Sequence, residues 1–355
     1  MTDTNAPGRV AALFVLNKKG FNLTRALEVV AVMVVPLIVL GVLGKEKFWE
    51  SLAFGVLFVG LSDPGGTYRV RFQEMAWVSL VGTFLTALGF VVGGGPWGWV
   101  VLTGFVVTLV SGLALKYGVH RYTSAMLLNS WYLVVIAVPA GEHLHASTSD
   151  WSGQALAWLI GSAIWIALTY LGWLVRGRHA QASHFPEIPG DMTTTALTKP
   201  VIMFSLLKAL AIAIAIGIAF GLHVPNADWM PIATLVAMKG TLDQTTLVAE
   251  QRLVGALIGA AIATVCLVAI DSKYVLDGVI VVLAAFAGAV RGVNYTIYCS
   301  AMAGLVLVGM DLSHPSNFTD ELHRVLFTLC GVAIAWVVML LAGRLQKASA
   351  ARAVA

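Results

Sequence analysis

Nearly continuous apolar runs of about 20 residues recur along the whole of this 355-residue chain, and they leave few folds open. A run of that length coiled as an α-helix rises about 30 Å, the thickness of a bilayer's hydrocarbon core. In that core every backbone N–H and C=O must be satisfied within a helix or a closed barrel. The runs are continuous rather than alternating, so they read as helices and the chain as an all-α integral membrane protein. Its charged fraction agrees: 11% of residues, where a soluble domain carries roughly a quarter. The longest polar stretch, 176–200, holds Pro186, Pro189 and Gly190 and suits a linker rather than a soluble domain.

The pattern predicts about twelve transmembrane helices, near 24–44, 48–62, 74–94, 97–115, 122–141, 154–175, 201–222, 227–241, 251–270, 274–290, 294–311 and 323–343. With the N-terminus placed in the cytoplasm, 18 of the 22 Lys and Arg residues fall on the cytoplasmic side and 4 on the other. This positive-inside bias orients the chain with both termini cytoplasmic. No h-region with a cleavage site opens the sequence, so the first span is expected to direct insertion.

Markers in the first half return in the second in the same order. Arg25-Ala-Leu pairs with Lys208-Ala-Leu, Trp49 with Trp229, Gly82 with Gly259, Tyr122-Thr123 with Tyr295-Thr296, and Gly161 with Gly331. The separations are 183, 180, 177, 173 and 170 residues, as expected if the second copy has shorter connections. We read two parallel six-helix repeats, a pseudo-dimer with an axis along the membrane normal. The predicted organisation is a cytoplasmic segment 1–23, a first repeat 24–175, a linker 176–200, a second repeat 201–343 and a cytoplasmic tail 344–355.

The second and eighth spans are short, and each runs from a Trp to a Gly and then an Asp: Trp49, Gly60, Asp63 and Trp229, Gly240, Asp243. Paired short or interrupted segments at matching places in two halves point to a transporter's binding site. Trp49 and Trp229 are therefore substrate-binding candidates, and Asp63 and Asp243 coupling candidates. The plain alternative makes the Trp pair interface-belt residues and the Asp pair helix caps.

Arg71, Lys208 and Arg252 stand near helix starts, where snorkelling to the interface is the ordinary reading. Cations at the mouth of an apolar cleft would also concentrate an anionic substrate. Glu28 and Glu74 lie about a turn inside their spans and are candidate proton carriers. Each stands three residues after an arginine, Arg25 and Arg71, so a helix-face ion pair is the alternative. Tyr122, Asn129, Tyr295 and Tyr298 add hydroxyl, amide and aromatic surface, which would suit an aromatic carboxylate.

The stretch from Trp229 to Gly259 resembles a module of the fusaric-acid-resistance (FUSC-like) family. That module has a Trp-led short helix, a polar loop, then an Arg with small residues after it, here Arg252, Gly255 and Gly259. The resemblance is clear over about 205–270 and weaker over about 25–90. Met75 stands where the first half would carry the motif arginine, with Arg71 one turn earlier. The family includes bacterial aromatic acid exporters and is distantly similar to plant aluminium-activated malate channels. The resemblance therefore implies a multi-pass protein of the bacterial inner (plasma) membrane.

Our expectation is a secondary transporter that exports organic anions, aromatic carboxylates among them, driven by protons or by the anion gradient. A passive organic-anion channel is the alternative, and a membrane scaffold a third reading. No His/Asp/Glu cluster has metal-ligand spacing and no nucleophile stands beside a base in sequence, so no enzyme activity, metal or cofactor is expected. The absence of a phosphate-loop motif argues against ATP-driven pumping, and no nucleic-acid module is visible. The expected partners are the small anion and the bilayer, with homo-oligomerisation left open.

Overall fold

The computed structural model describes residues 11, 13–141, 148–175, 178, 194, 196–222, 229–238, 246–310, 326–327 and 329–340. The regular elements among these residues are all helices, with no strand among them. In chain order the helices are α1 (Leu23–Val42), α2 (Trp49–Leu61), α3 (Tyr68–Gly93), α4 (Trp97–Leu113), α5 (Val119–Gly141) and α6 (Trp151–Val175). There follow α7 (Lys199–Gly221), α8 (Trp229–Ala237), α9 (Thr246–Ala269), α10 (Lys273–Val290) and α11 (Tyr295–Met310), then a helix α12 over Leu329–Leu340.

Six of these, α1, α3, α4, α6, α7 and α10, are long and apolar enough to cross a membrane. Their outer faces fit that reading. On α3, Trp77, Leu80, Phe84 and Val91 are all exposed and recur at helical spacing on one stripe. A contiguous apolar face of that size is untenable in water and ordinary against lipid. This is a multi-pass membrane protein.

Contacts group the described helices into two compact units. One holds α1 as far as Val39 together with α9, α10 and α11; the other holds α2 to α8 and α12. The grouping by contact thus differs from a division at the linker.

In the larger unit, α2 is buried along nearly its whole length, every residue from Trp49 to Leu61 except Leu57. At 13 residues it is too short to cross a bilayer alone. It survives because α3, α5 and α6 enclose it. Between helices in lipid the drive is close packing rather than water exclusion, so small residues decide how near the backbones come. A Cβ on Gly55 would lie 2.4 Å from the Trp158 carbonyl oxygen, and one on Gly161 would lie 2.1 Å from that of Leu52. Around this seam Phe54, Phe58, Trp131 and Trp158 pack ring on ring, and the Trp131 indole N–H donates to Thr86 Oγ1 at 2.8 Å.

The other short helix is notched in the same manner. A Cβ on Gly331 of α12 would lie 2.4 Å from the Met230 carbonyl oxygen of α8, and Thr234 Oγ1 donates to the Gly331 carbonyl at 3.0 Å. In both cases the glycine faces a carbonyl at one position and the amide N four residues on: Leu52 and Val56 in α2, Met230 and Thr234 in α8.

In the smaller unit, α9 and α11 close through the small-residue pattern. Gly255 faces Cys299 and the Thr296 carbonyl, and Gly259 faces Ala303 and the Ser300 carbonyl. The extended backbone before α1 packs here too. The Leu13 carbonyl accepts from Asn294 Nδ2 at 3.0 Å and Thr296 Oγ1 at 2.7 Å.

Candidate functional site

The break after α2 is written in sequence as Ser62-Asp-Pro-Gly-Gly. Pro64 lacks an N–H to continue the helix, and Gly65 and Gly66 take positive φ values of 71° and 77°, which turn the chain back into α3. Asp63 Oδ1 accepts the Gly65 N–H at 3.0 Å and fixes the turn. The turn brings Asp63 against Arg71, whose Nε donates to Oδ1 at 2.8 Å and whose Nη2 donates to Oδ2. Both groups are buried, and the guanidinium also lies 4.8 Å from the centre of the Tyr68 ring. The pair is bidentate, the geometry in which a buried arginine–carboxylate bridge holds.

Arg71 is therefore not paired with Glu74, as their spacing on one helix suggests. Glu74 points instead at α5 and accepts from Arg121 Nη2 at 2.6 Å and Nε at 3.1 Å. Helix-face pairs of this kind are weak, and partners from other elements replaced it here. Glu28 is exposed on α1.

Between these two bridges lies His120, at the start of α5. It is 0% exposed and neither ring nitrogen closes a hydrogen bond. The charged groups that act on it are Glu74, Asp63 and Arg121, and the backbone of Ser62 approaches the ring. Sequence reading passed over this residue, because it looked for histidines spaced along the chain rather than around a turn. The available signal was a His-Arg pair opening a span.

One turn further along α5, Tyr122 and Met126 meet Lys208 from α7. Lys208 is 1% exposed, near the middle of a candidate span. Its ammonium lies 3.0 Å from Met126 Sδ, 5.8 Å from the Tyr122 ring centre and 6.0 Å from that of Phe204. Glycines on α4 allow α7 this close. Gly112 faces Ser205, one turn before Lys208, at 3.2 Å from its Cα, and Gly104 faces Ile216. Snorkelling is no description of a lysine so enclosed. The fold thus brings Lys208 and Tyr122 together from helices distant in sequence.

Other candidates have different surroundings. Trp49 and Trp229 open α2 and α8 and are both buried, so neither is an interface-belt residue. Asn129 exchanges hydrogen bonds with Thr108 of α4 at 3.2–3.3 Å, which accounts for its polarity by helix packing. Tyr295 and Tyr298 stack at 6.0 Å in the smaller unit, with the Arg291 guanidinium 5.9 Å from the Tyr298 ring. Asp243 lies outside the described residues, as does the side chain of Arg252. Among the described residues, no group of three or more His, Cys, Asp or Glu could hold a metal ion.

The larger unit thus holds a buried cation against aromatic rings, inside helices with exposed apolar faces. Residues 212–338, from the middle of α7 through most of α12, match the family model described as fusaric acid resistance protein-like. That segment belongs to the fusaric acid resistance protein-like family. The match covers the Arg252, Gly255 and Gly259 pattern and runs well beyond it into α11 and α12. No curated protein and no solved structure matches the chain.

Proposed function

We propose that this protein exports organic anions, aromatic carboxylates foremost, across the bacterial inner membrane as a secondary transporter. The observation that carries the reading is Lys208, buried against Tyr122 and Phe204. A substrate carboxylate would share the ammonium with the partners it already has, while the substrate's own ring packs on the aromatic walls. A buried ammonium repels other cations and prefers an anionic ligand, and the rings favour one with a flat apolar body. Arg121, one residue before Tyr122 and 37% exposed in its side chain, supplies positive charge at the edge.

The family segment supports transport as the class of activity. Twelve spans, two parallel six-helix repeats and cytoplasmic termini remain our reading of topology. The matched notches of Gly161 on α2 and Gly331 on α8 support the duplication. The residues Asp63, Glu74 and His120 make proton coupling the favoured drive.

A passive organic-anion channel is the second reading, favoured by the exposed Arg121 beside a buried cation. Reconstitution separates the two. Purified protein in liposomes is offered labelled aromatic and aliphatic carboxylates, with and without a pH gradient. Accumulation against the anion's own gradient supports a coupled transporter. Flux that only follows that gradient supports a channel, and no flux of any carboxylate removes both.

A further inference from the structure

The charges that act on His120 belong to two ion pairs: Asp63, which is held by Arg71, and Glu74 with Arg121. A neutral imidazole fits this balanced cluster, whereas a proton on it adds a buried charge that needs an anionic partner. Both carboxylates act on the ring, but they are not equally available. Asp63 is held by two nitrogens of a buried Arg71 and by the Gly65 N–H. Releasing it would strand a guanidinium away from water. Glu74 has Arg121 as its partner among the described residues, and that side chain is 37% exposed. Arg121 alone can be rehydrated when it lets go.

Of the other elements packed against this end of α5, α4 and α8 carry no titratable side chain, and Lys116 and Tyr117, in the turn before α5, are exposed. From α7 the buried Lys208 meets α5 at Tyr122 and Met126, a cation that opposes a proton on the ring and moves the switch toward acid. Ser62 Oγ is buried beside the same turn without a hydrogen-bond partner, so it too can accommodate a rearrangement.

We propose that His120 is a proton-binding site whose protonation draws Glu74 from Arg121 and frees the Arg121 guanidinium to bind an anion. The proton comes from water and rests on a ring nitrogen. Glu74 exchanges one cationic partner for another, and Arg121 takes up water or a carboxylate. Histidine ordinarily changes charge across pH 5–8, and burial pushes this one down, so the switch operates toward the acid end of that window. Arg121 precedes Tyr122 of the Lys208 cluster on α5, and on the transport reading proton uptake and anion binding favour each other. The anion role rests on the transport reading above; the ion-pair switch does not.

The test needs no substrate. The full-length protein in lipid nanodiscs is treated with phenylglyoxal, an arginine reagent, at a series of pH values. Modification of Arg121 is read by mass spectrometry in the native sequence and in His120→Gln. Taking the ratio of the two at each pH removes the reagent's own pH dependence. The ratio should stand near one at about pH 8 and rise roughly threefold or more by about pH 5, as a population shift toward the opened pair requires. Glu74→Gln, which cannot hold Arg121 by charge, should label strongly and independently of His120. It also serves if His120→Gln does not fold: native labelling must then climb toward the Glu74→Gln level as pH falls.

A ratio fixed at one, or native labelling that never approaches that of Glu74→Gln, overturns the switch. If the ratio rises while liposomes carry no carboxylate, the switch stands and the transport reading falls.

Discussion

Replacing Gly161 with alanine tests the packing that encloses the short helix α2. The added Cβ would lie 2.1 Å from the Leu52 carbonyl oxygen, 2.9 Å from its carbon and 3.1 Å from the Val56 amide N. All three are backbone atoms, so no side chain can rotate away. Reaching ordinary contact at 3.4 Å requires α2 and α6 to part by about 1.3 Å, across a seam where Gly55 is equally tight on Trp158. Overpacking of this kind costs about 1–3 kcal/mol. At roughly 2–4 °C per kcal/mol for a chain of some size, the midpoint in detergent should fall by about 2–12 °C. Gly172→Ala is the control, since it lies on the same helix with nothing within 4 Å of its Cβ. It should be neutral or slightly stabilising, because alanine is the better helix former. Thermal unfolding followed by tryptophan fluorescence measures both. Equal midpoints for the two variants would refute the interlocked seam.

Further outcomes follow from the same geometry. Gly331→Ala should lower the midpoint as Gly161→Ala does, since its Cβ meets the Met230 carbonyl at 2.4 Å; an unchanged midpoint would count against matched packing of the two short helices. Asp63→Asn leaves the buried Arg71 without its counter-charge and should cost about 3–5 kcal/mol by denaturation. Changing Arg71 to Met in that background should recover part of the loss. Asn129→Leu removes the bond to Thr108 and should cost about 1 kcal/mol, with carboxylate flux per folded molecule unchanged; a selective loss of flux would return Asn129 to the substrate site.

The six long apolar helices and the interruption after Gly60 were legible in the sequence, because length, apolarity and a Pro-Gly-Gly turn are local properties. Trp49 and Trp229 were found as helix starts for the same reason. Ion-pair partners were not legible. Spacing put Arg71 with Glu74, but the turn at Gly65 and Gly66 returns the chain so that Asp63 reaches Arg71, while Glu74 faces Arg121 from another helix. Lys208 was visible as a cation near a helix start, yet its depth depends on glycines of α4, some hundred residues earlier. The role of His120 depends on three elements meeting at one end of α5, which no pattern within a single segment encodes.

The measurement that tests the central claim most directly is carboxylate transport in liposomes by the native protein and by Lys208→Met, with and without an imposed pH gradient. Methionine keeps the length and apolar bulk of the side chain and removes only its charge. The account predicts gradient-dependent accumulation of aromatic carboxylates by the native protein. It predicts at least a tenfold loss of kcat/KM on neutralising Lys208, about the 1.4 kcal/mol or more expected of a charge-assisted contact. Full transport by folded Lys208→Met, or no transport of any carboxylate by the native protein, would contradict it.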